Sequence, residues 1–412
     1  MKRLKNEKGI TLVALVITII ILLILAGISI SALTNTGLFG KAKEAKQKTE
    51  NAQELENQIL SDYEKKIDEL LGTDSTGGTG TTGGTDSTGG TGTTGGSGFT
   101  NVDTTKTNPQ AAMPANVTVI EADANKGIVI KDSKNNEWVW VEVPKTTVFT
   151  TATSASDYNN IKADLIAYAT DYVGSYTDEY YDGCGVADSA TYTAMYNKML
   201  SSVYTNGGFW ISRYEIGDST ATANNTTRTE ESGTTGTAVS QVNQIPYNYV
   251  TCGQAQTLAS GMSTDSNKTS SLLFGIQWDL VCKFLEENTS LTKADINSDS
   301  TNWGNYVNTT VANIKKGAKQ LISSVWTETT DDKPAGRGIL LTTGASEYTN
   351  RMNIYDFAGN EREWTLEKAS NTLGPCAYRG SDYYGNGFSA SDRYGVSTSR
   401  SDSGLAFRSA LY

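Results

Sequence analysis

The sequence predicts an α+β head carried on an N-terminal helical anchor through a flexible linker. Three observations predict it. Residues 10–33 are almost continuously apolar, residues 73–96 are two identical copies of a twelve-residue Thr/Gly/Ser/Asp unit, and residues 99–412 alternate β-type runs with helical ones.

The anchor comes first. Lys2, Arg3, Lys5 and Lys8 precede Gly9, and the run from Ile10 to Leu33 follows. About 20 apolar residues suffice to cross a bilayer as a helix. The basic leader favours a cytoplasmic N-terminus, although Lys41, Lys43, Lys46 and Lys48 follow the span and weaken that bias. A cleaved secretory signal ending near Ile30-Ser31-Ala32 is the minor alternative. From residue 34 to 71 the pattern stays helical, with Leu55, Ile59, Tyr63, Ile67 and Leu70 on one thin stripe. Unbroken, residues 10–71 would form a rod of about 90 Å at 1.5 Å per residue. Gly27, Gly37 and Gly40 are its candidate breaks. The linker, residues 72–98, has almost nothing to bury and should span roughly 30 Å as a coil.

Within residues 99–412, Gly127–Val143 reads as two strands around a turn at Asn135-Asn136, with Trp138 and Trp140 on one face. Residues 157–204 hold two tyrosine-rich helical pieces separated by a loop, and Gly207–Gly217 contains another strand.

Composition narrows the function classes. The 45 Asp and Glu against 34 Lys and Arg leave no basic stripe for nucleic acid. Histidine is absent, which removes the commonest general base and the usual zinc and iron ligand. Cys184, Cys252, Cys282 and Cys376 contain no Cys-x-x-Cys pair, and Cys252 and Cys282 fall in apolar helical stretches as small core residues. A disulfide stays open.

An ordered set of blocks carries a family resemblance. Phe209-Trp210-Ile211 leads to Tyr214-Glu215-Ile216, and Pro246–Ala259 is a turn running into a helix with Ala255 and Ala259. Trp278 sits in Ser271–Leu280, and Asn302-Trp303-Gly304-Asn305 follows. Asn353–Trp364 contains Asp356, Gly359, Asn360, Glu363 and Trp364. Arg379-Gly380-Ser381, then Gly404, Phe407 and Arg408, complete the set. Together these resemble the formylglycine-generating-enzyme (sulfatase-modifying factor) family over roughly residues 115–412, although Ser271–Leu280 lacks that family's Leu-Pro-Thr-Glu portion. The resemblance implies a C-type-lectin-like head.

Catalytic members of that family bind copper through a cysteine pair after the Arg-Gly-Gly-Ser block, and related sulfoxide synthases hold iron with histidines. Residues 377–412 contain no cysteine and the chain no histidine, so neither copper nor iron is expected and no catalytic residue is assigned. A divergent oxidase is the enzymatic alternative. The resemblance implies a calcium loop, with side-chain oxygens from Asp356 and Glu363 and main-chain oxygens from Gly359 and Glu361. The competing role is structural, with Asn360 and Glu363 satisfying buried backbone groups and Trp364 in the core.

Two further resemblances concern the ends. Lys8-Gly9-Ile10-Thr11-Leu12 resembles the leader junction of type IV pilins, cut between Gly9 and Ile10. Ala14 stands where that family has a glutamate, which puts filament assembly in question. Between Ser381 and Ser403 there is no Lys, Glu, Gln, Met or Trp, while Tyr, Ser, Asp, Gly and Asn abound. This resembles the variable region of proteins diversified by retroelements, and it is the composition of evolved paratopes. The face it implies comprises Asp382, Tyr383, Tyr384, Asn386, Phe388, Asp392, Tyr394 and Asp402.

The expected protein is therefore a single-pass, surface-displayed, adhesin-like binder with its head outside the cell membrane. Its expected ligand is a protein or glycan, pilin-like subunits are candidate partners, and nucleic acid is not. A structural minor pilin is the third reading.

Overall fold

The computed structural model describes residues 98–386 and 388–412. The expected leader (1–9), membrane-spanning helix (10–33), stem (34–71) and linker up to residue 97 lie outside the described residues, and Gly9, Ile10 and Ala14 with them. Among the described residues no helix is long and apolar enough to cross a membrane.

Residues 98–412 form a mixed α+β domain with several antiparallel sheets. Strands β1 (Thr118–Glu121), β2 (Val129–Lys131), β3 (Glu137–Glu142) and β4 (Gly208–Ser212) run antiparallel in that order. The β2–β3 turn forms because Asp132 accepts hydrogen bonds from Lys134 N (2.8 Å), Asn136 N (2.9 Å) and Trp138 Nε1 (3.1 Å). Asn135 takes the left-handed φ of 65° that the turn demands. Trp138 and Trp140 share one face of β3 and Val139 and Val141 the other, and all four are buried, so this sheet is covered on both sides. Trp140 meets Trp210 of β4 with ring centroids 5.1 Å apart.

Helix α1 (Tyr158–Tyr168) and helix α2 (Ser189–Asn206) are the two tyrosine-rich pieces. Asp188 caps α2 by accepting from Thr191 N at 2.7 Å, and Gly207 ends it with φ of 68°, where the helix leaves through a left-handed residue. A three-stranded sheet joins β5 (Gly217–Asp218), β6 (Ala238–Val239) and β7 (Ile245–Pro246). Helix α3 (Cys252–Ser260) opens on a Thr251/Gln254 capping box. The stretch Ser271–Leu280 divides: β8 (Ser270–Leu272) precedes helix α4 (Gly275–Asn288), whose first amides, Gly275 N and Ile276 N, donate to Asp178 at 2.6 and 3.1 Å. All four cysteines are buried free thiols.

The C-terminal third closes the domain. A hairpin of β9 (Lys319–Ile322) and β10 (Val325–Glu328) is followed by β11 (Arg362–Lys368), β12 (Cys376–Arg379), β13 (Arg393–Val396), β14 (Leu405–Phe407) and β15 (Ser409–Leu411). The second large sheet has the order β13-β12-β11-β14, with β14 parallel to β11. One residue later β15 enters the first sheet between β4 and β8. Arg408, the single residue between β14 and β15, thus ties the two sheets together.

Candidate ligand-binding face

The residues between β12 and β14 lie on a framework of buried ion pairs. Arg408 donates through Nε and Nη2 to Glu363 at 3.1 and 2.8 Å, and through Nη1 and Nη2 to the carbonyls of Ser212 and Tyr355 at 2.9 and 2.7 Å. Arg379, also buried, donates to Glu367 at 3.0 Å and Asp279 at 2.7 Å. Arg408 meets Glu363 in fork geometry, and Arg379 divides its terminal nitrogens between two carboxylates, so each buried charge is paired and hydrogen-bonded.

The blocks Asn302–Asn305 and Asn353–Trp364 meet here. Asn305 N donates to Ala358 O (3.1 Å), Asn360 N to Asn305 O (2.9 Å), and Asn305 Nδ2 to Asn360 Oδ1 (2.9 Å). Gly359 has φ of 73°, and a Cβ there would stand 2.4 Å from Asn305 O, so the close approach requires glycine.

That floor pins the loop joining β12 to β13 by its backbone. Tyr383 N donates to Asn360 O at 3.0 Å, Val307 N to Gly385 O at 3.0 Å, and Ser300 N to Phe388 O at 3.1 Å. Ala390 N donates to Ser300 Oγ at 2.8 Å, and its carbonyl accepts from Trp278 Nε1 at 2.9 Å. Trp278 itself stacks on Phe357 at 4.1 Å. None of these bonds uses an exposed side chain of the loop.

The eight residues assigned to the face from sequence divide by depth. Tyr384, Phe388 and Tyr394 are 64%, 46% and 59% exposed, and Asn386 is exposed with them. Asp392 and Asp402 are half-buried, Asp402 accepting from Gly404 N at 2.9 Å and from Arg400 Nε at 2.7 Å. Asp382 and Tyr383 are inside rather than on the surface, which corrects the assignment for these two. Asp382 is drawn in by Arg362, 2.8 Å away, and Tyr383 packs in a small core with Ile245, Trp326 and Leu340.

The acidic constellation is built from buried groups with protein partners. Asp356 accepts from Gly344 N (2.6 Å) and Thr349 Oγ1 (2.8 Å), Glu361 from Asn248 Nδ2 (2.9 Å), and both oxygens of Glu363 face Arg408. Gly359 N donates to Gly380 O at 3.0 Å. Among the described residues no group of three or more His, Cys, Asp or Glu side chains is placed to hold a metal ion. Burial pushes the carboxyls of Glu215 and Glu361 well up, and those of Asp356 and Glu363 up as well.

Residues that the sequence reading did not single out also surround the face. The β9–β10 hairpin turns through Ser323 and Ser324, with φ of 49° and 64°, and brings Trp326 to Tyr383. The pairing Ile322↔Val325 leaves a two-residue turn with both φ positive, the type I′ geometry. Its usual Asn-Gly signature is missing, and the remaining signal was only the alternation of the flanking strands.

No family model and no curated protein matches the chain. Solved structures with distant similarity include that of CarF, 14% identical, with a TM-score of 0.28 over 49% of this chain and 85% of that one. Treponema denticola variable protein 1 is another, 14% identical, with a TM-score of 0.21 over 73% of this chain and 92% of that one.

Proposed function

We propose that this chain is a surface-displayed binding protein, held in the membrane by its N-terminal helix, whose C-type-lectin-like head presents a diversifiable ligand face. The observation that carries the reading is the separation of roles in the β12–β13 loop. Its backbone and buried residues set its shape, while Tyr384, Asn386 and Phe388 project from it, with Tyr394 on the adjoining strand. Tyr384 and Tyr394 each pack against one neighbouring ring, Tyr383 and Tyr378, and are otherwise open to solvent, so these side chains can be exchanged at small cost to the fold. Tyrosine and phenylalanine provide contact area at low entropy cost, and asparagine and serine provide adaptable hydrogen bonds. The reading assigns no catalysis, and it takes the ligand to be a protein or a glycan.

Sequencing codons 378–408 across a growing population and its close relatives tests this. Substitutions concentrated at Tyr384, Asn386, Phe388 and Tyr394, with Arg379, Asp382 and Arg408 constant, are expected. A uniform segment would remove diversification from the account.

A further inference from the structure

Beside the exposed face, the β9–β10 hairpin and the β12–β13 loop enclose a cavity of about 290 Å³. This is near the small end of ligand pockets, which run from roughly 300 to 1,000 Å³. Its walls are aromatic and hydroxylated. Tyr383 and Tyr384 stand side by side with ring centroids 4.4 Å apart, and Trp326 is a third aromatic wall. Ser323 and Ser324 add hydroxyls from the hairpin turn.

The cavity carries no free charge. Arg228, which also lines it, is ion-paired with Asp218 and lies 3.8 Å over the Tyr247 ring. Two lining residues keep buried polar atoms without a protein partner: the indole N–H donor of Trp326 and the amide oxygen acceptor of Asn248. Both residues are 4% exposed. A buried donor and a buried acceptor left unmatched are unfavourable until a third party joins them.

We infer that this cavity is a binding subsite for a neutral polyhydroxylated ring, a single monosaccharide unit of a larger ligand. Aromatic walls take the C–H face of such a ring, the serine hydroxyls and Asn248 oxygen take its hydroxyls, and Trp326 Nε1 donates to one of its oxygens. A charged ligand would lack a counter-ion here, and a purely apolar one would leave both unmatched groups unsatisfied. The left-handed Ser323-Ser324 turn fits the same role, because Asn-Gly would make a more stable turn but without the hydroxyls. The inference rests on the ligand-face reading and deepens it.

The test uses the full-length chain, purified without sugar-headed detergents, and a panel of methyl glycosides of glucose, galactose, mannose, N-acetylglucosamine and N-acetylgalactosamine. Saturation-transfer NMR is expected to show saturable binding of at least one, with a dissociation constant on the order of 1 mM for so small a ligand. Trp326→Phe, which keeps a ring and loses the N–H, should weaken it about tenfold. Ser324→Gly should raise the melting temperature while weakening binding, a divergence that a merely structural serine would not produce. Phe388→Ala and Tyr394→Ala report separately on the open face. No saturable binding by any glycoside, or binding indifferent to Trp326→Phe, overturns the subsite. Loss of binding only in the Phe388 and Tyr394 variants overturns the cavity while leaving the face reading intact. A uniform codon segment with cavity binding preserved has the opposite meaning.

Discussion

The Arg362 guanidinium lies 2.8 Å from the carboxylate of Asp382 and joins the two loops of the face. Its Nη2 also reaches Asp402 at 3.3 Å, and its Nε donates to Gly404 O at 3.1 Å. The same group lies 5.1 Å over the Tyr378 ring, which in turn faces Tyr394 at 5.8 Å. One side chain on β11 therefore holds the loop before β13, the loop after it, and the aromatic pair between them.

Arg362→Met should consequently loosen both loops and leave Asp382 buried without its charge partner. A loss of about 2 kcal/mol in urea unfolding is expected, the scale of a charged hydrogen bond removed from a part-buried site. Limited proteolysis should show new cleavage within residues 382–403. A variant as stable and as protease-resistant as the parent would show that the loops are held by their backbone alone.

Arg408→Met should cost more, about 3–5 kcal/mol, because Glu363 is left charged in a dry site where the two sheets join. Both partners are at most 1% exposed. Urea midpoints of Arg408→Met, Glu363→Gln and the double variant measure the coupling. Additive losses would mean that the pair is not a unit.

Stability should fall as pH rises through neutrality. Burial, with the nearby Glu367 charge, pushes Asp178 up to about 7, and burial pushes Asp279 up to about 6. Glu215 and Glu361 are pushed well up by burial too. Such groups bind more protons folded than unfolded, so their stabilisation is complete below the unfolded carboxyl range and is lost as pH climbs through the folded values. Glu347 works the other way. Burial raises it, but hydrogen bonds from Lys315, Asn350 and Tyr355 prevail and hold it down at about 2, so its contribution disappears only as pH falls toward that value. Melting temperatures from pH 4 to 9 should peak on the acidic side of neutrality; a maximum above pH 7 would contradict these assignments.

Excess calcium should leave the melt unchanged relative to chelator, because the oxygens of Asp356 and Glu363 already have protein donors. A true site would raise stability by mass action. A calcium-dependent rise of several degrees would mean that Arg408 gives up Glu363 to the ion.

How much of this the sequence showed depends on distance along the chain. The Asn135 turn and the two tyrosine-rich helices were legible because turns and periodicity act within a few residues, whereas helix α3 was expected only from the family resemblance. Gly359 and Asn360 were legible as a block, but their partner Asn305 lies more than fifty residues away, so the reason for the glycine appeared only in the fold. Asp382 and Tyr383 belong to the same Tyr/Asp-rich run as Tyr384, and composition cannot separate them. Depth here is decided by Arg362 and Trp326, whose proximity comes from sheet order and from an unmarked Ser-Ser turn. The Trp326 cavity was hidden for the same reason.

The claim that the face varies independently of the fold is tested most directly by two displayed libraries. One randomises Tyr384, Asn386, Phe388 and Tyr394 together, and the other Arg379, Asp382, Tyr383 and Arg408, with protease-resistant display as the readout. Exposed sites remote from packing usually change stability by less than about 0.5 kcal/mol each, so most members of the first library should remain folded and most of the second should not. Equal loss of folded members in both would contradict the account, because the exposed side chains would then be part of what holds the loop in place.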